Sequence, residues 1–523
     1  MATASVSAAA GSLVVMNNRV IVVGGGLAGL GAAAALGHRR FRVTLLESRS
    51  RWGGRASSFV DQATGEEIDN CQHVNLGCGT NFRHFCRTVG IDSFFIRETE
   101  LTFIGPDGRT SSFSAAPLPA PLHLFPSLLR LPYLSFCEKR QLAFGLRTLA
   151  RTKPDCAGDE SFLHWLERHG QSKAVIDRFW HVVLVSALSE SLDRIDIAHA
   201  RKVFVDAFLA NRQGWEVWLP TAPLGELYGS RLEEWLSRHN VLMRQQCGVK
   251  RVLIEKPAEG DADAGRASGV ELRTGERIDA DHVILAVPHH LAASLLPDDL
   301  GAAAPFDALA KLESAPISSI HLWFDRPITQ LRHAVLVGRL SQWMFNRSAI
   351  HEGDSSVNSA APSKGPPTPP LRMGGDDAGR FVKSKIQNPK SKIFYYQVVI
   401  SASREVLDRR NDETIRDVLE ELSNIWPIVR EARLIHARLV TEHKAVISML
   451  PEVDRLRPVQ QTPIGNLQLA GDWTQTGWPG TMEGAVRSGY LAAQNVLRQC
   501  GRDETLVQPD LPRAPLSKLL FGL

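Results

Sequence analysis

The spacing of apolar positions changes along the chain, and each change predicts a different element. Arg19-Val-Ile-Val-Val23 is a β-branched run of the kind that forms a buried parallel strand, and Gly24-Gly-Gly-Leu-Ala-Gly29 follows it at once. Leu30 to Leu36 is an alanine-rich helical stretch ending near Gly37, and Arg42-Val-Thr-Leu-Leu-Glu47 is a second strand. Together they predict a β-α-β unit of about thirty residues. From about Ser114 to Glu216 the period is helical, in the segments Glu138–Arg151, Ser161–His169, Lys173–Ser189 and Ala198–Asn211, which predicts a separate cap. Strand patterning returns between Asn240 and Val287, in Gly248–Ile254, Gly269–Arg273 and His282–Val287, so the first domain is expected to be discontinuous. Ser318–Phe324 and Ile393–Ile400 suit a sheet in a second domain.

The expected fold class is therefore α/β: a discontinuous Rossmann-like, glutathione-reductase-like domain with a mixed α+β substrate domain and a helical cap. In chain order the expected divisions are a disordered extension over 1–15, the first part of the dinucleotide domain over 16–113, and the cap over 114–214. Its second part follows over 215–300, the substrate sheet over 301–430, its third part over 431–500, and a tail over 501–523. Residues 351–392 carry six of the 29 prolines and a single aromatic, Phe381, and read as a disordered insertion. Leu516–Leu523 is apolar enough to dock on the body. Met1–Val15 lacks the basic and apolar regions of a signal peptide, and Met16, directly before a strand, is the expected natural start.

Composition narrows the class further. At 523 residues, 44% hydrophobic and 22% charged, the chain is neither globally disordered nor a coiled-coil rod. The net charge is only +4, and seven Lys/Arg against four Asp/Glu in 351–392 supply most of it, so nucleic acid is not expected as a partner. Seven scattered cysteines without a Cys-x-x-Cys pair suggest neither a disulfide framework nor a metal site, and fit a reducing cytoplasm. No apolar run is long enough to span a bilayer.

The candidate chemistry begins at Gly24-x-Gly26-x-x-Gly29, which encloses Leu27 and Ala28. Gly24 permits the tight turn, Gly26 lets backbone approach a pyrophosphate, Gly29 allows close helix–strand packing, and the helix N-terminus offers amides and dipole to phosphates. Glu47 closes the second strand where a carboxylate accepts ribose hydroxyls. Arg51-Trp-Gly-Gly-Arg55 adds close backbone approach and guanidinium groups able to pair with phosphate, although a solvated basic turn reads the same way. Near the C-terminus Leu467–Asp472 is a short strand ending in an acid, and Gly480-Thr-Met-Glu-Gly-Ala485 opens a helix whose dipole suits negative charge on a reduced flavin.

These three segments resemble the FAD-binding amine oxidase and carotenoid desaturase superfamily, over roughly Arg19 to Leu497; Ala286-Val-Pro288 matches as well. The resemblance implies FAD as cofactor, with Gly24, Gly26, Gly29 and Glu47 on the ADP half and Gly54 and Arg55 near the pyrophosphate. Val249 would give backbone contacts to adenine, Asp472 would meet the ribityl or phosphate region, and Thr481 and Met482 would lie beside the flavin. Asp69–Cys78 and Gly471–Ser488 resemble more narrowly the squalene-associated FAD enzymes, the hydroxysqualene dehydroxylases, with Cys71 where glycine is expected and Gly480 where alanine is expected. That resemblance implies hydroxysqualene or a similar long isoprenoid as substrate and reductive removal of its hydroxyl to give squalene, with an electron donor that the sequence does not identify. His73 is the candidate proton donor, although a histidine in such a loop is more often a hydrogen-bonded structural residue. Trp478, Trp323 and Trp180, with Trp215, Trp218 and Phe324, are candidates for an apolar tunnel meeting a carbocation, core packing being the alternative.

A thirty-carbon substrate implies peripheral attachment to the inner leaflet of a membrane. The proline-broken apolar stretch Pro117–Leu134, followed by Lys139, Arg140, Arg147 and Arg151, is the candidate surface; it fits a cap over the substrate cavity equally well. An isoprenoid desaturase is the nearest rival reading. A flavin-free prenyl-binding escort protein is a second, against which Glu47, Arg55 and Gly480–Ala485 argue. An amine oxidase would carry a lysine that Ile317-Ser-Ser-Ile320 lacks.

Overall fold

In a computed structural model, residues 18–153, 160–255, 265–302, 304–352 and 393–522 are described. The expected extension over 1–15 and most of the expected insertion, 353–392, lie outside these residues. The first layer is a parallel five-stranded sheet, in the order Val241–Arg244, Arg42–Leu46, Arg19–Val23, His282–Leu285 and Leu467–Leu469. Its middle strands are apolar without alternation because helices and a meander cover both faces. Helix Leu27–Gly37 is buried along its whole length. Helix Met482–Gln499 lies against it so closely that a Cβ on Gly489 would stand 2.2 Å from the Ala28 carbonyl oxygen. An antiparallel meander, Val249–Glu255, Arg266–Leu272 and Arg277–Asp279, completes this part.

The second sheet has seven strands, ordered Leu434–Ile447, Ser314–Phe324, Phe394–Ser401, Trp343–Asn346, His333–Leu336, Glu100–Ile104 and Thr110–Ser114. Alternation divides its faces. Ile320, Leu322, Phe324, Tyr396, Val398 and Ile400 pack on Val418 and Leu422 of helix Asn411–Ile425. Ser319, His321, Trp323, Tyr395 and Gln397 occupy the other face, toward the 61–73 region and the cap.

This sheet moves two expected boundaries. Leu434–Ile447 pairs along the whole of Ser314–Phe324, so it belongs to the substrate sheet and not to a dinucleotide segment beginning at 431. Glu100–Ile104 and Thr110–Ser114, expected inside 16–113, join the same sheet, and Val217–Pro220 pairs with Asn75–Leu76 and Phe95–Glu98. The reason is an edge-strand pattern: Leu-Ile-His-Ala-Arg-Leu-Val-Thr-Glu-His-Lys is half-polar throughout, which periodicity alone does not place in any sheet.

The cap is helical over Phe136–Arg151, Phe162–Arg168, Lys173–Leu188 and Ile197–Leu209, the last two each containing a π-helical stretch. Ser135, Ser161 and Asp196 cap these helices with their side-chain oxygens. The tail ends in helix Pro515–Phe521, docked on the cap through Ser517 Oγ to the Leu209 carbonyl at 2.6 Å and Arg151 to the Leu520 carbonyl at 2.8 Å.

Candidate active site

The glycines of the first turn have separate duties. A Cβ on Gly24, whose φ is +112°, would lie 2.4 Å from the Ala286 carbonyl oxygen, and one on Gly29 would lie 2.0 Å from the Gly24 carbonyl oxygen. Both are demanded by packing alone. Gly26 has ordinary backbone, and a Cβ there would meet nothing nearer than the Gly54 Cα at 4.0 Å. Gly54 (φ +63°) faces it across a bridge in which Gly53 N–H donates to the Gly25 carbonyl at 2.8 Å. Between the two glycines the N-terminus of helix Leu27–Gly37 has no side-chain cap, leaving the Leu27, Ala28 and Gly29 amides to an anion.

Glu47 is nearly buried and accepts from the amides of Gly25 and Arg49, each at 2.8 Å, and from Ser48 Oγ at 3.1 Å. Beside it lies a hollow of about 210 Å³ lined by Ser48, Gln246, Cys247 and Gly248, directly before Val249. Arg55 joins the cradle to the second sheet: it pairs with Asp472 and donates to the Ala445 carbonyl at 3.0 Å. Arg51 instead lies over the Phe59 ring.

Arg457, which sequence reasoning missed, is buried and donates to the carbonyls of Asp472, Thr474 and Trp478 at 3.0, 2.7 and 2.7 Å. It fixes the loop that carries Asp472 into helix Met482–Gln499, whose N-cap is Thr481. Gly480 is required, since a Cβ would come within 2.6 Å of Ile447. The departure from alanine thus follows from the long strand crossing at that point.

Above this cradle stands the Asp69–His73 loop. Arg347, buried, clamps it by donating to Gln72 and, at 2.7 Å, to Asp69, and also touches His351. Asp69 accepts from the Leu224 amide and Ser58 Oγ as well. Burial pushes the Cys71 thiol up to about 12, with Ser319 as its hydrogen-bond partner. Cys71 is absent from the residues of positive φ, so its replacement of glycine leaves the backbone ordinary. His73 Nδ1 is 3.0 Å from the Cys71 carbonyl, which only accepts, so Nδ1 carries the proton and Nε2 is left as an acceptor. Burial lowers its pKa, with Arg55 and Arg347 acting in the same direction against Asp69. At rest His73 is therefore a neutral acceptor, and the candidate proton donor of the sequence reading would first have to take up a proton at Nε2.

The model of the family described as flavin containing amine oxidoreductase matches residues 27–497. The chain belongs to that family. Among curated proteins, this flavin-containing oxidoreductase is 24% identical over 510 residues to a zeta-carotene desaturase of Zea mays, covering 94% of this chain and 84% of that one. It is 25% identical over 503 residues to a probable zeta-carotene desaturase of Synechococcus elongatus, covering 92% and 98%. It is 24% identical over 504 residues to a 15-cis-phytoene desaturase of Solanum lycopersicum, covering 92% and 77%. Among solved structures, an oxidoreductase from Methanosarcina mazei aligns with a TM-score of 0.65 at 16% identity, over 92% of this chain and 100% of that one. Cyclohexylamine oxidase from Brevibacterium oxydans aligns at 0.63 and 16%, over 93% and 100%. The cofactor of this flavin-containing oxidoreductase is FAD. The residues fit it: a cradle that a Cβ on Gly26 would fill, uncapped amides, a carboxylate at the strand end and an arginine between them.

The candidate tryptophans separate. Trp323 lies on the polar sheet face, stacked on Tyr395 at 4.8 Å and bonded to Glu66 at 2.9 Å. Trp478 is sandwiched between cap and tail, with Lys202 4.3 Å over its ring and Nε1 bonded to Asp510. Trp180 is interior to the cap, packed on Phe204 at 4.7 Å and bonded to Gln171, so it is a core residue.

On the cap surface, Phe136, Arg140, Phe144 and Arg147 follow one another down one side of helix Phe136–Arg151. Phe136 is 73% and Phe144 59% exposed, and Leu519 of the docked tail helix is 79% exposed. Phe125 and Leu129 add to the exposed apolar surface. No helix among the described residues is long and apolar enough to cross a membrane.

Proposed function

We propose that this flavin-containing oxidoreductase acts on a long linear isoprenoid, and that its reaction is the reductive removal of the hydroxyl of hydroxysqualene, giving squalene. One observation carries the choice of an oxygenated substrate. The sheet face beneath the Asp69–His73 loop, which a pure hydrocarbon would need apolar, carries Ser319, His321, Tyr395 and Gln397.

In this reaction the C–O bond breaks, the oxygen takes a proton and leaves as water, and the allylic carbon takes a hydride. Bound FAD supplies the two-electron couple for that hydride, and a soluble or quinol-type reductant must restore its reduced form. Gly26, Gly54, Glu47, Arg55 and Asp472 would hold the cofactor, while Arg347 and Arg457 keep the two loops around it in place. His73 Nε2 faces its task as a base that must first be protonated, after which it delivers that proton to the leaving oxygen.

We further propose that the substrate is drawn from an anionic leaflet through the exposed stripe of Phe136, Arg140, Phe144 and Arg147 with Leu519. Apolar rings alternating with guanidinium groups suit an interface of acyl chains and acidic headgroups.

The relatives favour a second reading, desaturation of a carotene-like hydrocarbon, which removes a hydride and a proton and needs an oxidant. Anaerobic incubation with dithionite-reduced FAD and hydroxysqualene separates the two. Squalene is the expected product. Its absence, together with desaturated products when phytoene and a quinone are supplied, would replace the first reading by the second.

A further inference from the structure

Across the second sheet, Arg438, His321, Gln397 and Phe345 stand directly opposite one another, strand to strand. His321 and Gln397 are both fully buried. His321 Nδ1 is 2.6 Å from Tyr395 Oη, and its Nε2 has no partner among the described residues. Gln397 Nε2 donates to Ser319 Oγ at 2.8 Å, and its Oε1 likewise has no partner. Two orphaned polar atoms on neighbouring strands, at one level of one sheet face, are costly unless something pairs with both.

Their chemistry is complementary. With Tyr395 donating to Nδ1, the neutral imidazole carries its proton on Nε2, so one strand holds an unpaired donor and the residue paired with it in register holds an unpaired acceptor. Burial, reinforced by Arg347 and Arg438, lowers the His321 pKa to about 3, so the ring stays neutral across ordinary pH. A hydroxyl answers both atoms at once, accepting from N–H and donating its own hydrogen to the amide oxygen. A carboxylate lacks the hydrogen, an ammonium lacks the lone pair, and a hydrocarbon lacks both. The Cys71 thiol bonds Ser319 on the same face, and the Cys71 carbonyl receives His73 Nδ1–H, so the pair lies behind the loop of the candidate proton carrier.

We propose that His321 and Gln397 form a binding site for the alcohol oxygen of the substrate and so determine specificity for a hydroxylated isoprenoid over the corresponding hydrocarbon. The site rests on the isoprenoid-alcohol reading above and deepens it. His321 and Gln397 hold the oxygen, and Tyr395 and Ser319 orient them through Nδ1 and the amide nitrogen.

The test uses the full chain loaded with FAD, titrated with hydroxysqualene and with squalene and followed by quenching of tryptophan fluorescence, which needs no turnover. Wild type is expected to bind the alcohol at least about tenfold more tightly than the hydrocarbon. Gln397→Leu is expected to weaken alcohol binding by about ten- to a hundredfold and to leave squalene binding unchanged. Should Gln397→Leu lose flavin or fold, His321→Gln and His321→Phe make the same comparison, the first keeping a donor and part of the preference, the second losing it. Equal wild-type affinities for the two ligands overturn the site. So does a preference that survives Gln397→Leu and His321→Phe, which would leave a resident water as the occupant. Failure to form squalene with the alcohol preference intact refutes the reaction and keeps the site; squalene formation without the preference does the reverse.

Discussion

Replacing Gly26 by alanine separates a cofactor cradle from a turn that is glycine-rich for packing alone. The new Cβ has no protein atom within 4.0 Å apart from the Gly54 Cα at that distance, and the backbone at φ −76° and ψ 176° suits any residue. The apoprotein should therefore fold and melt like wild type, within about 0.5 kcal/mol, since the poorer N-cap that alanine makes is offset by the stiffening of the unfolded chain. The methyl group projects into the gap between the uncapped helix and Gly54, where a pyrophosphate must sit. Displacing it weakens one or two hydrogen bonds to a charged oxygen, about 1.5–3 kcal/mol each, so the affinity for FAD should fall by about a hundredfold. At an FAD concentration of a hundred wild-type dissociation constants, the ligand stabilises wild type by about 2.7 kcal/mol and the variant by only about 0.4 kcal/mol. Thermal melts with and without FAD, alongside a fluorescence titration of the apoprotein, read both quantities. Gly24→Ala is the contrasting control: its Cβ would lie 2.4 Å from the Ala286 carbonyl oxygen, so it should not yield folded apoprotein at all. If Gly26→Ala held FAD within about threefold of wild type while folding normally, the cradle assignment would be wrong.

Three further outcomes are expected. With hydroxysqualene, kcat should rise as pH falls through and below 6.5, because the His73 pKa lies under that ordinary value and only its protonated form donates; His73→Gln should lose about a hundredfold or more and flatten the profile, and a flat wild-type profile would remove His73 from proton transfer. Changing Phe136, Phe144 and Leu519 together to serine should lower co-sedimentation with phosphatidylglycerol vesicles by at least about tenfold with little change in melting, since all three are exposed; unchanged sedimentation would remove the membrane surface. His123, His289 and His321 have pKa values lowered chiefly by burial to about 4, 4 and 3 from 6.5. The unfolded chain therefore takes up their protons first as pH falls, so stability present above 6.5 is lost by up to about 1.4 kcal/mol per pH unit for each; a melting temperature constant down to about pH 5 would contradict their burial as neutral rings.

What could be read from the sequence follows from the range of the interactions concerned. Gly24, Gly29 and Glu47 were legible because the turn, the helix and the second strand lie within one β-α-β unit: Gly29 answers a collision with the Gly24 carbonyl and Glu47 accepts from the Gly25 amide, although the carbonyl that excludes a Cβ on Gly24 is that of the distant Ala286. Gly480 was legible as part of a helix N-terminus, but its necessity was not, because the side chains that exclude a Cβ come from Val446 and Ile447, on a strand misassigned to the other domain. His73 was singled out by its loop, but its tautomer was not legible, because a backbone carbonyl two residues away decides which nitrogen carries the proton. Arg347 gave no signal at all. It stands 278 residues from Asp69, next to the expected insertion, where an arginine looks like solvated surface. The polar pair on the second sheet is equally silent in sequence: Gln397 meets Ser319 across 78 residues, and each sits inside an apolar strand where a lone polar side chain looks like a packing detail. Cofactor recognition is therefore written in local sequence, since a pyrophosphate needs one turn and one helix end. Substrate recognition is written in strand register, because only pairing places His321 beside Gln397 and leaves both with an atom to offer.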